Sequence, residues 1–335
     1  MAGLSLTEAE RAFFKRTRPM GYILFARNIE SPTQVIALVN ELRGLDSSYD
    51  AVVLIDQEGG RVQRLKPPHW RHAPTMDAFG VLHGRNPAKA AAALRLNMQM
   101  IGEELRALGI DVDCAPVMDV PVAGAHDVIG DRAFSRDPAV VSVMAPVVCE
   151  GLIDAGVIPV IKHIPGHGRA ASDSHKELPV VLDDVATLRA NDFAPFKALC
   201  ATPLQHACFA MTAHVVYVAL DPNQPATTSK TVITDIIRGE IGFEGLLMSD
   251  DLGMKALNGP YEERTARALE AGCDVVLHCD GNMDDMEAVA KALPPLGPRG
   301  LKAFTASSAI RRKPRRPLGD VAVAGFQVLD ALRHG

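Results

Sequence analysis

Lys162-His163-Ile164-Pro165-Gly166-His167-Gly168, followed by Asp173-Ser174-His175, places a lysine, three histidines and a carboxylate within fourteen residues. The cluster begins where the apolar run Val157-Ile158-Pro159-Val160-Ile161 stops. Imidazole and carboxylate groups pass protons near neutral pH, while the proline and glycines let the backbone turn sharply and leave it free to move. The pattern predicts acid–base chemistry on a loop at a strand end, able to close over a substrate. A His-rich surface turn is the plain alternative. His163 and His167 stand four apart, as zinc-binding histidines do. The zinc pattern, however, needs a helix and an intervening glutamate, and Pro165 and Gly166 break a helix here. No metal and no cofactor are expected.

The elements that must position this loop are legible as short apolar runs separated by helical patterns. Strands are predicted at 21–25, 51–56, 110–115, 157–163, 209–214, 246–250 and 274–278, and helices near 31–42, 87–108, 138–155, 188–199, 230–237, 262–271 and 284–293. Strictly alternating strands and helices predict parallel strands joined by right-handed crossovers. The fold class expected is α/β, a single (β/α)8 TIM-type barrel whose eighth strand is short or irregular and lies near 178–182. A doubly wound open sheet also accommodates seven strands. The expected division is a catalytic barrel over 1–300, then a C-terminal part over 301–335. That part holds a basic cluster at 307–317, with Arg311, Arg312, Lys313, Arg315 and Arg316, and a short amphipathic helix at 321–332 packing on the barrel. A solvated turn is the simpler reading of the cluster, and contact with an anionic partner the other.

Bulk properties narrow the function classes. A chain of 335 residues, 47% hydrophobic and 22% charged, describes a globular protein with a large core. A net charge of -5 argues against nucleic acid as partner. The six cysteines form no Cys-x-x-Cys pair and sit mostly in apolar stretches, as reduced core residues do. Thr7 and Glu10 have capping-box spacing, and no apolar run reaches the length that crosses a bilayer. A cytoplasmic monomer without membrane contact is expected.

In a barrel the chemistry sits at the carboxyl ends of the strands. Those ends carry Asp56 through Arg64, then Asp119 and Gly130-Asp131-Arg132, then Lys162 and His163, then His214, and lastly Ser249-Asp250-Asp251. Several carboxylates, arginines and a lysine around one mouth suit a ligand rich in hydroxyl groups, since such side chains fix vicinal hydroxyls. A sugar is the expected ligand. Phosphate competes, but neither a P-loop nor a dinucleotide-binding glycine pattern is present.

Asp56-Gln57-Glu58-Gly59-Gly60-Arg61-Val62-Gln63-Arg64, Lys162 to Gly168, Asp173-Ser174-His175 and Ser249-Asp250-Asp251-Leu252 together resemble glycoside hydrolase family 3, specifically its bacterial β-N-acetylglucosaminidases. The resemblance runs in order from about residue 20 to about residue 280. It implies a retaining hydrolase of terminal β-linked N-acetylglucosamine, acting on muropeptides in cytosolic cell-wall recycling. It further implies Asp250 as nucleophile, His175 as acid/base and Asp173 as its orienting partner, with Asp56, Arg64, Arg132, Lys162 and His163 holding the amino sugar.

Retaining cleavage needs a carboxylate about 5 Å from a proton donor. An unperturbed imidazole titrates near about 6.5 and serves as that donor, with the preceding aspartate selecting its tautomer. Neighbouring residues on a strand point to opposite faces, so Asp251 reads as a cap or structural partner rather than a second nucleophile. His163 has an alternative as a packing residue, His214 as a buried hydrogen-bonded one, and Arg61 and Arg64 as surface ion pairs. Ile164 stands where the resemblance implies phenylalanine. Two further readings share the pocket: a phosphorylase that uses phosphate instead of water, and a sugar-binding sensor without catalysis.

Overall fold

Apolar runs buried on both faces become the seven strands of one parallel sheet: β1 (Gly21–Leu24), β2 (Val52–Ile55), β3 (Val112–Asp113), β4 (Ile158–Ile164), β5 (Phe209–Thr212), β6 (Leu246–Asp251) and β7 (Val275–Leu277). The computed structural model describes residues 1–312 and 321–334. Every strand pairs with the one before it in the chain. A doubly wound sheet reverses its order at a switch point, and this one does not, so that alternative is excluded. The sheet curls, because Ile23 of β1 and Leu277 of β7 line the same cavity. Arg27, just beyond β1, donates to the Cys279 carbonyl just beyond β7 and, through Nε, to the Met1 carbonyl at 2.8 Å.

An eighth strand does not join this sheet among the described residues. The expected one near 178–182 exists as Val180–Val181, but it pairs in parallel with Val216–Tyr217 as a separate two-stranded sheet. Barrel strands are buried on both faces, whereas Val180 is exposed and Leu182 is 79% exposed.

Alternation along the strands builds two cores. Val52, Leu54, Val112, Cys114, Ile158, Val160, Phe209, Met211, Leu246 and Met248 fill the inside of the curl. Val53, Ile55, Ile161, Ala210 and Leu247 face outward, into the larger cluster shared with the helices. Each Val, Leu, Ile, Phe or Met side chain among them contributes about 1.5–3 kcal/mol when fully buried. The covering helices include Pro32–Gly44, Pro87–Ala107, Pro138–Asp154 and Tyr261–Ala271, close to where the sequence pattern puts them. The pattern at 188–199 splits into Val185–Ala190 and Phe193–Cys200, and 230–237 forms a π-helix, Val232–Glu240. Thr7 and Glu10 make the expected capping box. All six cysteines are free, five of them buried. No helix among the described residues is long and apolar enough to cross a membrane.

Beyond β7 the chain closes the floor of the curl. Helix Pro298–Ser308, which runs across the expected division at 300, brings Ala303 and Phe304 to the inner core. The Phe304 ring stacks on Phe209 at 6.4 Å. Arg311 is not a solvated member of a basic turn. Its Nε donates to Asp111 Oδ1 at 2.9 Å and its Nη2 to Asp50 at 2.8 Å. Lys313, Arg315 and Arg316 lie outside the described residues. In helix Val321–His334, Ala324, Val328 and Ala331 are buried in the outer core.

Asp111 also accepts from Arg43 at 2.5 Å, Arg106 at 2.9 Å and the Val53 backbone at 3.1 Å, with its side chain only 1% exposed. Removing one partner of a buried ion cluster costs about 3–5 kcal/mol because the rest stay desolvated. Asp111→Ala is expected to lower the unfolding free energy by that amount, read from urea denaturation followed by circular dichroism.

Candidate active site

At the carboxyl ends of the strands lies a cavity of about 350 Å³, within the range of small-molecule sites. Asp56, Arg64, Arg132, Lys162, His163, Asp173, His175 and Asp250 all line it. Phe25, Arg61, His167, Ser174, Met211 and Cys279 contribute further wall.

One side is a lattice of charges centred on Lys162, whose side chain is 2% exposed. Its Nζ lies 2.9 Å from Asp56 Oδ1 and 2.6 Å from Glu58 Oε1. Asp56 Oδ2 accepts from Arg64 at 3.0 Å. Glu58 receives Arg132 through Nε and Nη2, each at 2.8 Å, a bidentate pair of the strong kind. A hairpin of Gln57–Gly59 with Val62–Gln63 brings Asp56, Glu58 and Arg64 together. Its turn needs Gly60, which sits at φ 55, the left-handed region that favours glycine. Burial resists ionisation of Glu58, but Arg132 and Lys162 outweigh it and pull the carboxyl down to about 2. For Lys162, burial is overcome by Asp56 and Glu58, which hold the ammonium well above its ordinary value.

A second anchor is Asp119, fully buried. Oδ2 accepts from His163 Nδ1 at 2.7 Å, and Oδ1 from the backbone N–H groups of His163 at 3.2 Å and His167 at 2.6 Å. Burial is again outweighed, by His163 first, and Asp119 falls to about 2. An ionised carboxylate only accepts, so Nδ1 of His163 carries the proton and Nε2 is the ring's remaining polar atom. The imidazole of His167 is buried. That burial, with the nearby His163 charge, pushes it down to about 4.

The glycines of this loop allow close approach of backbone. A Cβ on Gly168 would stand 2.1 Å from the Val120 carbonyl oxygen, and one on Gly166 would stand 2.8 Å from Asp192 Cβ. Arg169 adds an anchor through Asp192 at 2.5 Å and Asp183 at 3.0 Å. Ile164 is fully buried in the outer core. Only the turn beyond is open: His175 is 66% exposed at its side chain, with Nδ1 bonded to Asp173 Oδ1 at 2.8 Å and the His175 N–H on the same oxygen at 3.0 Å. Burial opposes these bonds at Asp173, yet its carboxyl is held below the usual range. It therefore accepts, which leaves Nε2 as the atom of His175 free to exchange a proton.

Asp250 at the end of β6 accepts the Asp251 N–H at 2.7 Å. Burial is offset by His214, His163, that N–H and Lys162, and the carboxyl lies below its ordinary value. Asp251 takes a different role. Its Oδ1 accepts from Gly253 N at 2.9 Å and Cys279 N at 3.1 Å, tying the next turn to the chain past β7. His214 is fully buried, with Nε2 on the Asp251 carbonyl at 3.0 Å and Nδ1 on Thr227 Oγ1 at 2.7 Å. It props the β6 end instead of lining the cavity. Arg61 pairs with Asp131 at 2.7 Å on the half-exposed part of the wall, whereas the Arg64–Asp56 pair belongs to the buried lattice.

Glu58 and Asp119 carry no role that is legible in the sequence. Each binds a partner 74 or 44 residues away, so no local spacing signals it. No cluster of three or more His, Cys, Asp or Glu side chains suited to a metal ion occurs among the described residues.

Comparison with known proteins places this geometry. A model described as the glycosyl hydrolase family 3 N terminal domain matches residues 3–297. A β-hexosaminidase of Alkalilimnicola ehrlichii is 40% identical over 300 residues, which is 89% of this chain and 84% of that protein. NagZ from Neisseria gonorrhoeae, solved in complex with N-trifluoroacetyl-D-glucosamine, superposes with a TM-score of 0.86 at 31% identity, covering 99% of this chain and 96% of that one. A glycoside hydrolase family 3 β-N-acetylglucosaminidase from Paenibacillus sp. gives 0.84 at 29% identity. This chain spans 65% of that chain's length.

The charge lattice predicts an acid limb in stability. Glu58 titrates at about 2 when folded, against an ordinary 4.5, so the folded form binds fewer protons between these values. Stability is therefore full above that window and is lost as pH falls through it. Thermal unfolding from pH 6 down to pH 3 is expected to show this fall. Glu58→Gln is expected to lose about 3–5 kcal/mol at pH 7 and to show a shallower acid limb.

Proposed function

The chain belongs to glycoside hydrolase family 3 and is a β-N-acetylhexosaminidase, and on that premise we propose how its residues divide the work. Asp250 is the nucleophile, His175 the acid/base, and Asp173 the group that orients it. Asp56, Arg64, Arg132, Lys162 and His163 hold the N-acetylglucosamine. The observation that carries this reading is convergence: an ionised Asp250 and a His175–Asp173 pair face one cavity with a charged wall.

In this mechanism, Asp250 attacks the anomeric carbon while His175 Nε2 gives its proton to the leaving oxygen, and a glycosyl–aspartate ester forms. Water then attacks the same carbon, His175 takes its proton, and the sugar leaves with its β configuration retained. Asp173 stabilises the imidazolium formed in the second step. The lattice around Lys162 is arranged before substrate arrives, so it needs no reorganisation when charge develops on the ring. Asp56 and Arg64 have lone pairs and N–H groups to spare for hydroxyls. Arg132 is fixed by Glu58 and the Val128 carbonyl, so the N–H groups it has left meet the sugar from a guanidinium already set in place.

The substrate proposed is a muropeptide, N-acetylglucosamine linked to 1,6-anhydro-N-acetylmuramic acid, cleaved by a cytoplasmic monomer during cell-wall recycling. In this reading the seven-stranded curl is a (β/α)8 plan with no regular eighth strand among the described residues.

Hydrolysis of p-nitrophenyl N-acetyl-β-glucosaminide tests the roles. His175→Ala is expected to lower kcat by about 10²–10⁴-fold while folding and sugar binding persist. Asp250→Ala is expected to abolish turnover, and activity surviving it would remove the nucleophile. Added phosphate is expected to leave the product as free sugar; a sugar 1-phosphate would make the protein a phosphorylase.

A further inference from the structure

Ser174 stands between the two residues of the proton-moving pair, yet it is buried at 3% exposure while His175 beside it is open. Two bonds hold it. Its Oγ lies 3.2 Å from His167 Nε2, and its carbonyl accepts the Ala256 N–H at 3.2 Å, from the turn after β6. A hydroxyl both donates and accepts, so the first bond forms whichever ring nitrogen of His167 carries the proton. His167 is itself immobilised, because its backbone N–H is on Asp119 and its ring packs edge-on to His163 at 5.6 Å. Nothing in the proposed chemistry uses this buried imidazole, and its Nδ1 has no partner.

We infer that His167 is a positioning residue: through Ser174 it latches the turn bearing Asp173 and His175 onto the rigid Asp119 anchor, and so sets where His175 delivers its proton. The inference rests on His175 being the acid/base. A single chain of bonds then runs from His163, through Asp119 and His167, to Ser174. The same carboxylate that orients a sugar-facing imidazole also fixes the base of the latch. The turn's own bonds, from Asp173 to His175 and from the Asp173 carbonyl to the Lys176 and Glu177 N–H groups, keep its shape but do not tie it to the barrel. The tie is made at Ser174. Since a serine hydroxyl carries no charge, the latch is a hydrogen bond and not a salt bridge.

Loss of a latch misplaces the donor without removing it, and displacement of a catalytic group by about 1 Å costs up to about a hundred-fold in rate. Ser174→Ala, with Ser174→Thr as the hydroxyl-bearing control, is to be assayed on a substrate whose leaving group needs a proton, the β-linked N-acetylglucosamine disaccharide, and on the p-nitrophenyl glycoside. The expected result is a kcat on the disaccharide lowered about ten- to a hundred-fold with KM changed less than about two-fold, a smaller loss on the nitrophenyl substrate, and recovery in the threonine variant. The double variant His167→Ala with Ser174→Ala is expected to be no slower than His167→Ala alone, since both remove one bond. Unchanged kcat in Ser174→Ala, or equal losses on both substrates, or additive losses in the double variant, would overturn the latch. Should His167→Ala fail to fold, the serine pair decides by itself. His175→Ala run alongside separates the levels: if it retains full activity the acid/base assignment falls, whereas an inactive His175→Ala beside an unaffected Ser174→Ala removes the latch alone.

Discussion

An ammonium group buried away from water is what the open end of this sheet is built around. Desolvating Lys162 costs several kcal/mol unless carboxylates meet it at close range, and Asp56 and Glu58 do so from either end of a three-residue stretch. Glu58 then requires a second cation, supplied by Arg132 from the segment after β3, and Asp56 takes Arg64 from the returning hairpin strand. Three segments distant in sequence are thereby held in one register. The result is a wall of fixed charges, in a cavity partly closed to water, where electrostatic interactions are stronger than in solution.

The loop after β4 shows how rigidity and freedom are shared along fourteen residues. Its first half is locked by Asp119, by Asp192 through Arg169, and by glycines that admit backbone within contact distance. Its second half is a turn in which His175 is exposed and Ser174 buried. Sugar-facing groups thus sit on a buried, hydrogen-bonded frame, while the His175 side chain stands largely in solvent on a turn tied down at Ser174.

Much of this plan is legible in the chain. All seven strands of the sheet read out because strands buried on both faces are near-continuous apolar runs, and the helices between them follow the apolar period. The helices Met76–Arg85 and Pro298–Ser308 are not among those that the period marks. The second of these, exposed along much of its length, meets the inner core only through a few positions such as Ala303 and Phe304. The run at 178–182 looked like a strand and is one, but Leu182 and Val180 lie in solvent, and burial is not written in a five-residue run.

Among the site residues, those clustered in sequence were legible and those clustered only in space were not. Asp56 to Arg64 and Lys162 to His175 announce themselves because a turn of the chain at a strand end brings near neighbours to the same place. Glu58 reads as one more charge in a turn, and Asp119 as one more polar residue past β3, until folding sets them against Arg132 and His163. The sequence alone determined the order of the strands' apolar runs, the chemical types gathered at their ends, and the family resemblance those types carry. Tertiary structure decided which charges share a partner, which histidines are buried and which way Asp251 turns. Such pairings depend on distances across the sheet's mouth, and those exist only once burial in both cores has fixed the curl.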